Sequence, residues 1–498
     1  MLSRYPAYIV TGTHWLEKIP SHWKLVGLKK YLDSLIDYRG KTPEKTKDGI
    51  FLVTAKNIKN GRVDYSLSQE FVDPIEYEEI MHRGKPHLGE VLFTTEAPLG
   101  EVANIDNINV ALAQRVIKIS GKKNVLNNYF LKYWLENKNF QDHLQSLATG
   151  STALGIKSSK LFELRTLLPS YEEQQTIAKF LDYKTTQIDE LIEKKEQLLK
   201  LLEEKRIALI TNAVTGKVIP PGGGHRTGSC GPVGDNGVVS GYSSSNEISY
   251  KPSGIPWLGN IPQHWEVKRL RSLMKGKLSN GIFKKRDDWG FGTKLINVSD
   301  IYTNNFLVNT SNLTLVNCSD EELETYRVKD GDFFFVRSSL KLEGIGQSSS
   351  LIGNNEELVF ECHLVKGSPN QSQINARFLN YFLNSTALRN YFISHANTVT
   401  MSTIDQSVFK DTILCVPTLL EQQYIVEHLD IELAKIDQLS AKVTEAIEKL
   451  KEYRTSLITS AVTGKIDLRN WSPPTSLSLP RACPDSSGRG KEGEVERS

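Results

Sequence analysis

The sequence is poor in the residues that usually announce chemistry. Its 498 residues include only five cysteines, Cys230, Cys318, Cys362, Cys415 and Cys483. They are odd in number and never form a Cys-x-x-Cys pair, so neither a disulfide frame nor a zinc site is suggested. No run approaches about 18 apolar residues, and the first residues carry no apolar signal-peptide stretch. A soluble, cytoplasmic protein with no membrane partner is therefore expected. No Gly-x-x-x-x-Gly-Lys-Ser/Thr phosphate loop occurs. Thr215-Gly216-Lys217 lacks the upstream glycine and closes a predicted helix instead of opening one. A His-Glu-x-x-His pair and a glycine-rich cofactor turn are missing too, so no catalytic residue or metal ligand is assigned. Net charge is only +3, and any surface for a polyanion must be local. A hydrophobic content of 39% in a chain of this length leaves room for two or three domains.

What is present is a repeat. Residues 168–218 align without a gap on residues 416–466. Pro169, Glu173, Gln174, Gln175, Leu181, Ile188 and Asp189 return as Pro417, Glu421, Gln422, Gln423, Leu429, Ile436 and Asp437. Ala213 to Lys217 returns as Ala461 to Lys465. Each copy has a proline before it, a glycine near its end and neither between, which predicts a long helix. Leu429, Ile436, Val443, Leu450 and Leu457 recur every seven residues, with Ile425, Leu439, Ala446 and Tyr453 on the neighbouring stripe. Leu181, Ile188, Leu202 and Leu209 match them in the first copy, beside Ile177, Leu191 and Leu198, and Lys184, Lys195 and Lys205 interrupt this seam. This is the seam of a coiled coil. Each buried apolar side chain contributes roughly 1.5–3 kcal/mol, so the simplest way to bury both seams is to pack one helix on the other.

The repeat reaches further. Trp15-Leu16 and Ile19-Pro20 before His22-Trp23 match Trp257-Leu258 and Ile261-Pro262 before His264-Trp265, at an offset of 242. Two copies of one unit follow, the second carrying a net insertion of six residues, expected in a surface loop. His22 and His264 read as structural. The globular parts, 24–167 and 266–415, read as α+β with a mixed or antiparallel sheet. Strands are predicted at 50–53, 90–94, 293–296 and 332–336, and short helices at 129–137 and 377–384. Gly89 to Phe93 matches Gly331 to Phe335, but the residues that follow do not match. A common frame thus carries two different working surfaces. The expected divisions are 1–167, a helical spacer 168–218, a Gly/Ser-rich linker 219–252, a second globular domain 253–415, a second spacer 416–467 and a disordered tail 468–498.

Basic and polar side chains cluster in the globular parts. The first holds Arg39, Lys41 and Thr42, then Lys56, Asn57, Lys59 and Arg62, then Thr95, Gln114 and Arg115. The second holds Lys277, Asn280, Lys284, Lys285, Arg286, Asn297, Arg337, Ser338 and Lys341. Arg and Lys pair with guanine edges, Asn and Gln with adenine edges, and Lys and Arg also neutralise phosphates. These residues are the candidate contacts to double-stranded DNA.

The assembled pattern resembles the specificity subunit of type I restriction–modification systems. The resemblance rests on Trp257 to Trp265, on the Pro-x-x-x-Glu-Gln-Gln starts at Pro169 and Pro417, and on the two Ala-Val-Thr-Gly-Lys ends. Asp37 to Pro43 resembles one class of first reading domain. Glu17 stands where the second copy has Gly259, and the linker is unusually long. The resemblance implies two target recognition domains, each reading half of a split, asymmetric DNA site. It also implies that the two helices form an antiparallel coiled coil and meet the methyltransferase subunits, two per chain. Those subunits would use S-adenosylmethionine to methylate adenine, and motor–nuclease subunits would use ATP and Mg2+ to cut DNA. The chain itself would hold no cofactor and catalyse nothing. Two other readings remain open: a coiled-coil adaptor that binds only protein, and a DNA-modifying enzyme with an unrecognised site.

Overall fold

A computed structural model describes residues 3–38, 43–150, 154–217 and 249–474. Most of the predicted linker and tail therefore lie outside the described residues. The chain divides into two compact units. One takes residues 1–195 and 445–498, and the other takes residues 196–444. Each unit thus holds one globular part, the start of its own long helix and the end of the other repeat's long helix.

The long helices run Tyr171–Val214 and Leu419–Val462, 44 residues each. In the first unit, Glu173 near the start of one helix and Gly464 just past the end of the other both lie against Trp23. Further along, Asp189 meets Arg454. The two segments therefore run antiparallel. The second unit repeats this: Glu421 and Gly216 both lie at the His264–Trp265 pair, and Arg206 meets Asp437.

The main stripe is the expected one: Leu181, Ile188 and Leu202 are buried, as are Leu429, Ile436, Val443 and Leu457. The neighbouring stripe begins as expected, with Ile177 and Ile425 buried, and further along lies one residue on. Thr185, Arg206, Ile447 and Ala461 are buried or nearly so, while Leu191, Leu198, Leu439 and Tyr453 are exposed. Polar residues on the true seam hid it from a count of apolar spacing.

In the first unit a four-stranded antiparallel sheet has the order Leu99–Asn104, Val91–Thr95, Val116–Gly121, Leu32–Asp37. A second sheet pairs Ile50–Val53 parallel to Val110–Leu112 and antiparallel to Phe71–Val72. The second unit repeats both. Its four strands run Ser348–Ser350, Phe333–Val336, Leu364–Gly367, Ser279–Asn280, and Trp289–Ile296 lies parallel to Leu358–Phe360. The predicted strands and the helices Asn128–Glu136 and Ala376–Leu383 are all present, within a residue or two except that the third predicted strand reaches back to Trp289. Each helix is followed by one that the sequence did not announce, Lys138–Leu147 and Thr386–Ser394. Asn137 ends the first helix and its side chain caps the next, so no Pro or Gly marks the break.

The six inserted residues can be placed. Eight residues lie between Phe93 and its strand partner Val102, but twelve lie between Phe335 and Ser348. Four of the six therefore lie in the 337–347 loop, where Leu342–Gly344 makes a short helical turn.

The repeated motifs are docking devices. Gln174 donates to the carbonyls of Val125 (2.9 Å) and Pro169 (3.1 Å) and accepts from the amide of Asn127 (2.8 Å). Gln422 does the same with Gln373, Pro417 and Asn375. Glu173 accepts from Tyr5, His22 and Trp23, so His22 is structural, as is His264 on Glu421 at 2.6 Å. Gly464 has φ +72°, and a Cβ there would fall 2.4 Å from the Pro20 ring. Gly464→Ala is therefore expected to destabilise the first unit by about 2–4 kcal/mol, from left-handed strain plus overpacking. Denaturant unfolding would read it, and an unchanged midpoint would contradict the tight seat.

Candidate nucleic-acid interface

The candidate residues fall into three groups. Some are exposed and available, some are spent on the fold, and Arg39, Lys41 and Thr42 lie outside the described residues.

In the first unit, Lys56, Gln114 and Arg115 line one cleft of about 260 Å³, together with Lys45, Thr54, Glu70 and Ala97. Lys56 comes from the turn after strand 50–53, Gln114 and Arg115 from the bend between strands 110–112 and 116–121, and Ala97 from the 95–98 turn, while Lys45 and Glu70 come from two further segments. Arg115 has φ +76° and pairs with Glu96 at 3.0 Å. Both side chains are about half exposed, so water screens the pair and the guanidinium can change partner at little cost. Glu70 pairs with Lys45 at 2.7 Å. Burial alone would raise its carboxyl, but the Lys45 ammonium and the Ser68 hydroxyl outweigh burial and hold it below the usual range. The cleft is therefore charged with both signs. Lys59 and Arg62 are exposed and directly opposite across a two-residue hairpin, whose turn residues Asn60 and Gly61 have φ +53° and +78°. Direct cross-strand neighbours share a face, so the two cations point the same way.

Two candidates here need correcting. Asn57 is fully buried: its oxygen accepts from the Thr54 amide and hydroxyl, and its nitrogen donates to the carbonyls of Asp64 and Ser68. Thr95 is buried and its hydroxyl donates to the Arg115 carbonyl at 3.2 Å. Asn57 has no capacity left for a base edge, and Thr95 is shut away from one by burial.

In the second unit, Lys277, Asn280, Lys285, Arg286 and Lys341 are exposed, and Arg337 is half-buried. Lys285 and Arg286 open the short helical turn before strand 289–296. Three candidates are again spent. Lys284 pairs with Glu322 at 2.7 Å with its side chain 9% exposed. Asn297 caps the 298–301 turn, its nitrogen donating to Leu295, Asp300 and Thr314. Ser338 is buried in a strand pair with Thr403.

Composition-based reading passed over an exposed apolar set. Phe283, Trp289 and Phe291 flank Lys285 and Arg286, and Phe291 sits on a bulge between Gly290 and Gly292. Leu340 is 83% exposed and Val399 91% exposed, on two loops whose strands pair through Ser402. The interleaving of Phe and Trp with Lys-Lys-Arg was a signal available in the sequence.

Among the described residues, no helix is long and apolar enough to cross a membrane, and no group of three or more His, Cys, Asp or Glu is placed to hold a metal. Two stretches, 32–204 and 262–449, match the family model described as the type I restriction modification DNA specificity domain. Together they take in more than half of the chain, and the chain belongs to this family. It is 21% identical over 340 residues to the specificity subunit of the EcoKI type I restriction enzyme from Escherichia coli K12, covering 68% of this chain and 65% of that one. The match thus spans just under two thirds of that relative. It is also 32% identical over 201 residues to the MjaIX specificity subunit of Methanocaldococcus jannaschii, covering 39% of this chain and 44% of that one. A chain solved in work on complex assembly and conformational transition of the type I R-M system shares the fold, with a TM-score of 0.63 and 15% identity over 90% of this chain and 99% of that one.

Proposed function

We propose that this chain is the DNA-reading subunit of a type I restriction–modification complex. One observation carries the reading: two units of the same topology present different exposed basic and amide sets, in a family described as a DNA specificity domain. Each unit reads one half of a split, asymmetric site. In the first, Lys56, Lys59, Arg62, Gln114 and Arg115 face the duplex, with Arg39, Lys41 and Thr42 from the adjoining segment. In the second, Lys277, Asn280, Lys285, Arg286, Arg337 and Lys341 do so. The 1–167 and 253–415 regions are the recognition domains, and the long helices are the spacer between them.

The chain holds no catalytic group of its own in this reading. Two methyltransferase subunits dock on the helices, where exposed Leu191, Leu198, Leu439 and Tyr453 offer them apolar surface. They methylate adenine with S-adenosylmethionine, and motor–nuclease subunits add ATP- and Mg2+-dependent cleavage in the cytoplasm. Mapping methylated adenines across a genome, with this chain present and absent beside the partner subunits, tests it. A two-part motif that appears only with the chain is expected. An unchanged map would refute the assignment.

A further inference from the structure

Arg206 and Arg454 occupy matching places in the two repeats, and each is packed into the unit whose globular part belongs to the other repeat. In the first unit, Arg454 reaches from the end of the second long helix. Its Nε donates to Asp189 Oδ1 at 3.0 Å and its Nη1 to Glu136 Oε1 at 2.5 Å. Its Nη2 donates to the main-chain carbonyl of Asn60 at 3.2 Å. The side chain is 14% exposed. Burial opposes its charge, but Glu136 and Asp189 outweigh burial and raise its pKa above the usual guanidinium value. In the second unit, Arg206 donates to Asp437 and to the carbonyl of Asn304, the latter at 2.9 Å. The next two carbonyls of that turn, Asn305 and Phe306, accept from Arg377 and Asn380.

The two turns so held are not ordinary connections. Asn60 and Gly61 are the left-handed centre of the hairpin that carries Lys59 and Arg62. Phe306 is likewise left-handed, with φ +55°. Ile58 and Val63, which flank the first turn, belong to an apolar cluster separate from the one that includes the long helices. Apolar packing thus joins the helices to one cluster of the unit, and the guanidinium reaches across to the other. A single ammonium cannot serve three acceptors spread around a planar fork, so lysine is not an equivalent here.

We propose that Arg454 is a positioning residue for DNA reading: it fastens the 59–62 turn, which carries Lys59 and Arg62, to the paired long helices, so that the helices set the orientation at which the turn meets the duplex. This rests on the DNA-reading function proposed above and adds a wiring between spacer and reader. Arg454 touches no DNA itself. It presents Lys59 and Arg62 to phosphates as a fixed pair.

The test uses the full chain with its modification subunits and a duplex carrying the mapped site. Binding is measured across a salt series. Each phosphate contact contributes about 0.9 to the slope of log K against log salt. Arg454→Lys is expected to lower that slope by about 1–2 and to weaken binding about 10-fold at physiological salt. Adding Lys59→Ala and Arg62→Ala to Arg454→Lys should lower the slope no further, because the cations already act through Arg454. A wild-type slope in Arg454→Lys, or a fully additive drop, would overturn the proposal. If Arg454→Lys unfolds the first unit, Asp189→Asn, which weakens one of the acceptors that seat Arg454, carries the test as a fall in slope of about 1. Unfolding of both variants would make Arg454 purely structural and also overturn it. Wild-type complex that fails to bind duplex at any salt is a different result, since it removes the DNA-reading function itself.

Discussion

Inserting seven residues into each long helix is expected to cut affinity for the original two-part site by at least about 100-fold, while each half-site alone binds as before. Two readers on one chain gain affinity because the second contact becomes intramolecular, typically 10²–10⁴-fold, and the gain vanishes when both cannot engage together. Each long helix is continuous for 44 residues, and its two ends belong to different units. Seven residues add about 10.5 Å of helix and return the seam nearly to its starting face. Along B-DNA that length is about three base pairs, or roughly 100° of rotation. The original spacer would then present its second half-site on the wrong side of the duplex. Binding to a panel of duplexes with spacers varied base by base would read the change. A changed half-site preference, or an unchanged spacer, would rule out the helices as the measuring element.

Removing Glu173 should have the largest effect on stability, about 3–5 kcal/mol for Glu173→Ala. The carboxylate is 7% exposed and accepts from the Tyr5 hydroxyl (2.9 Å), His22 Nε2 (3.1 Å) and Trp23 Nε1 (3.3 Å). Truncation strands the Tyr5 hydroxyl and the Trp23 ring N–H in a closed space, each of which then bears its own desolvation cost, whereas exposed His22 turns to water. Glu421→Ala should cost less. Glu421 accepts from His264 and Thr418, whereas Trp265 Nε1 finds no acceptor in the native fold and loses nothing. Denaturant unfolding of both variants would give the difference directly. Equal losses would show that the tryptophan contact contributes nothing.

The frame was open to sequence reading because its signals are local. Pro169 and Gly216 bracket a helix whatever it packs on, and Phe333-Phe334-Phe335 reads as a buried strand because a polar face has no place in it. The Glu-Gln-Gln motif could be seen but not explained, since the partners of Gln174 are main-chain groups at Val125 and Asn127 that leave no trace in composition. The neighbouring stripe was misplaced by one residue beyond its first turn because Thr185, Arg206 and Arg454 stand on it, and a count of apolar spacing does not select them. At the interface the limit is different. Asn57, Lys284 and Asn297 have the right chemistry, but whether a polar group is free or already bonded depends on what the fold brings beside it. Lys56 and Arg115 are 59 positions apart, and only the bend before strand 116–121 places them in one cleft.

The cluster around Trp23, Phe130 and Leu181 is completed by Leu457, Ile458, Ala461 and Val462. Those four residues leave the ribosome well after residue 195, where the first stretch of the same unit ends. At about 5–20 residues per second, the first unit waits tens of seconds with one wall missing, long after its own globular part has been made. Synthesis order and completion order are thus reversed: the head made first closes last. A nonsense codon near residue 445 would consequently harm the head farthest from it in the message, and would leave the nearer one with its own helix start and the donated end already in place.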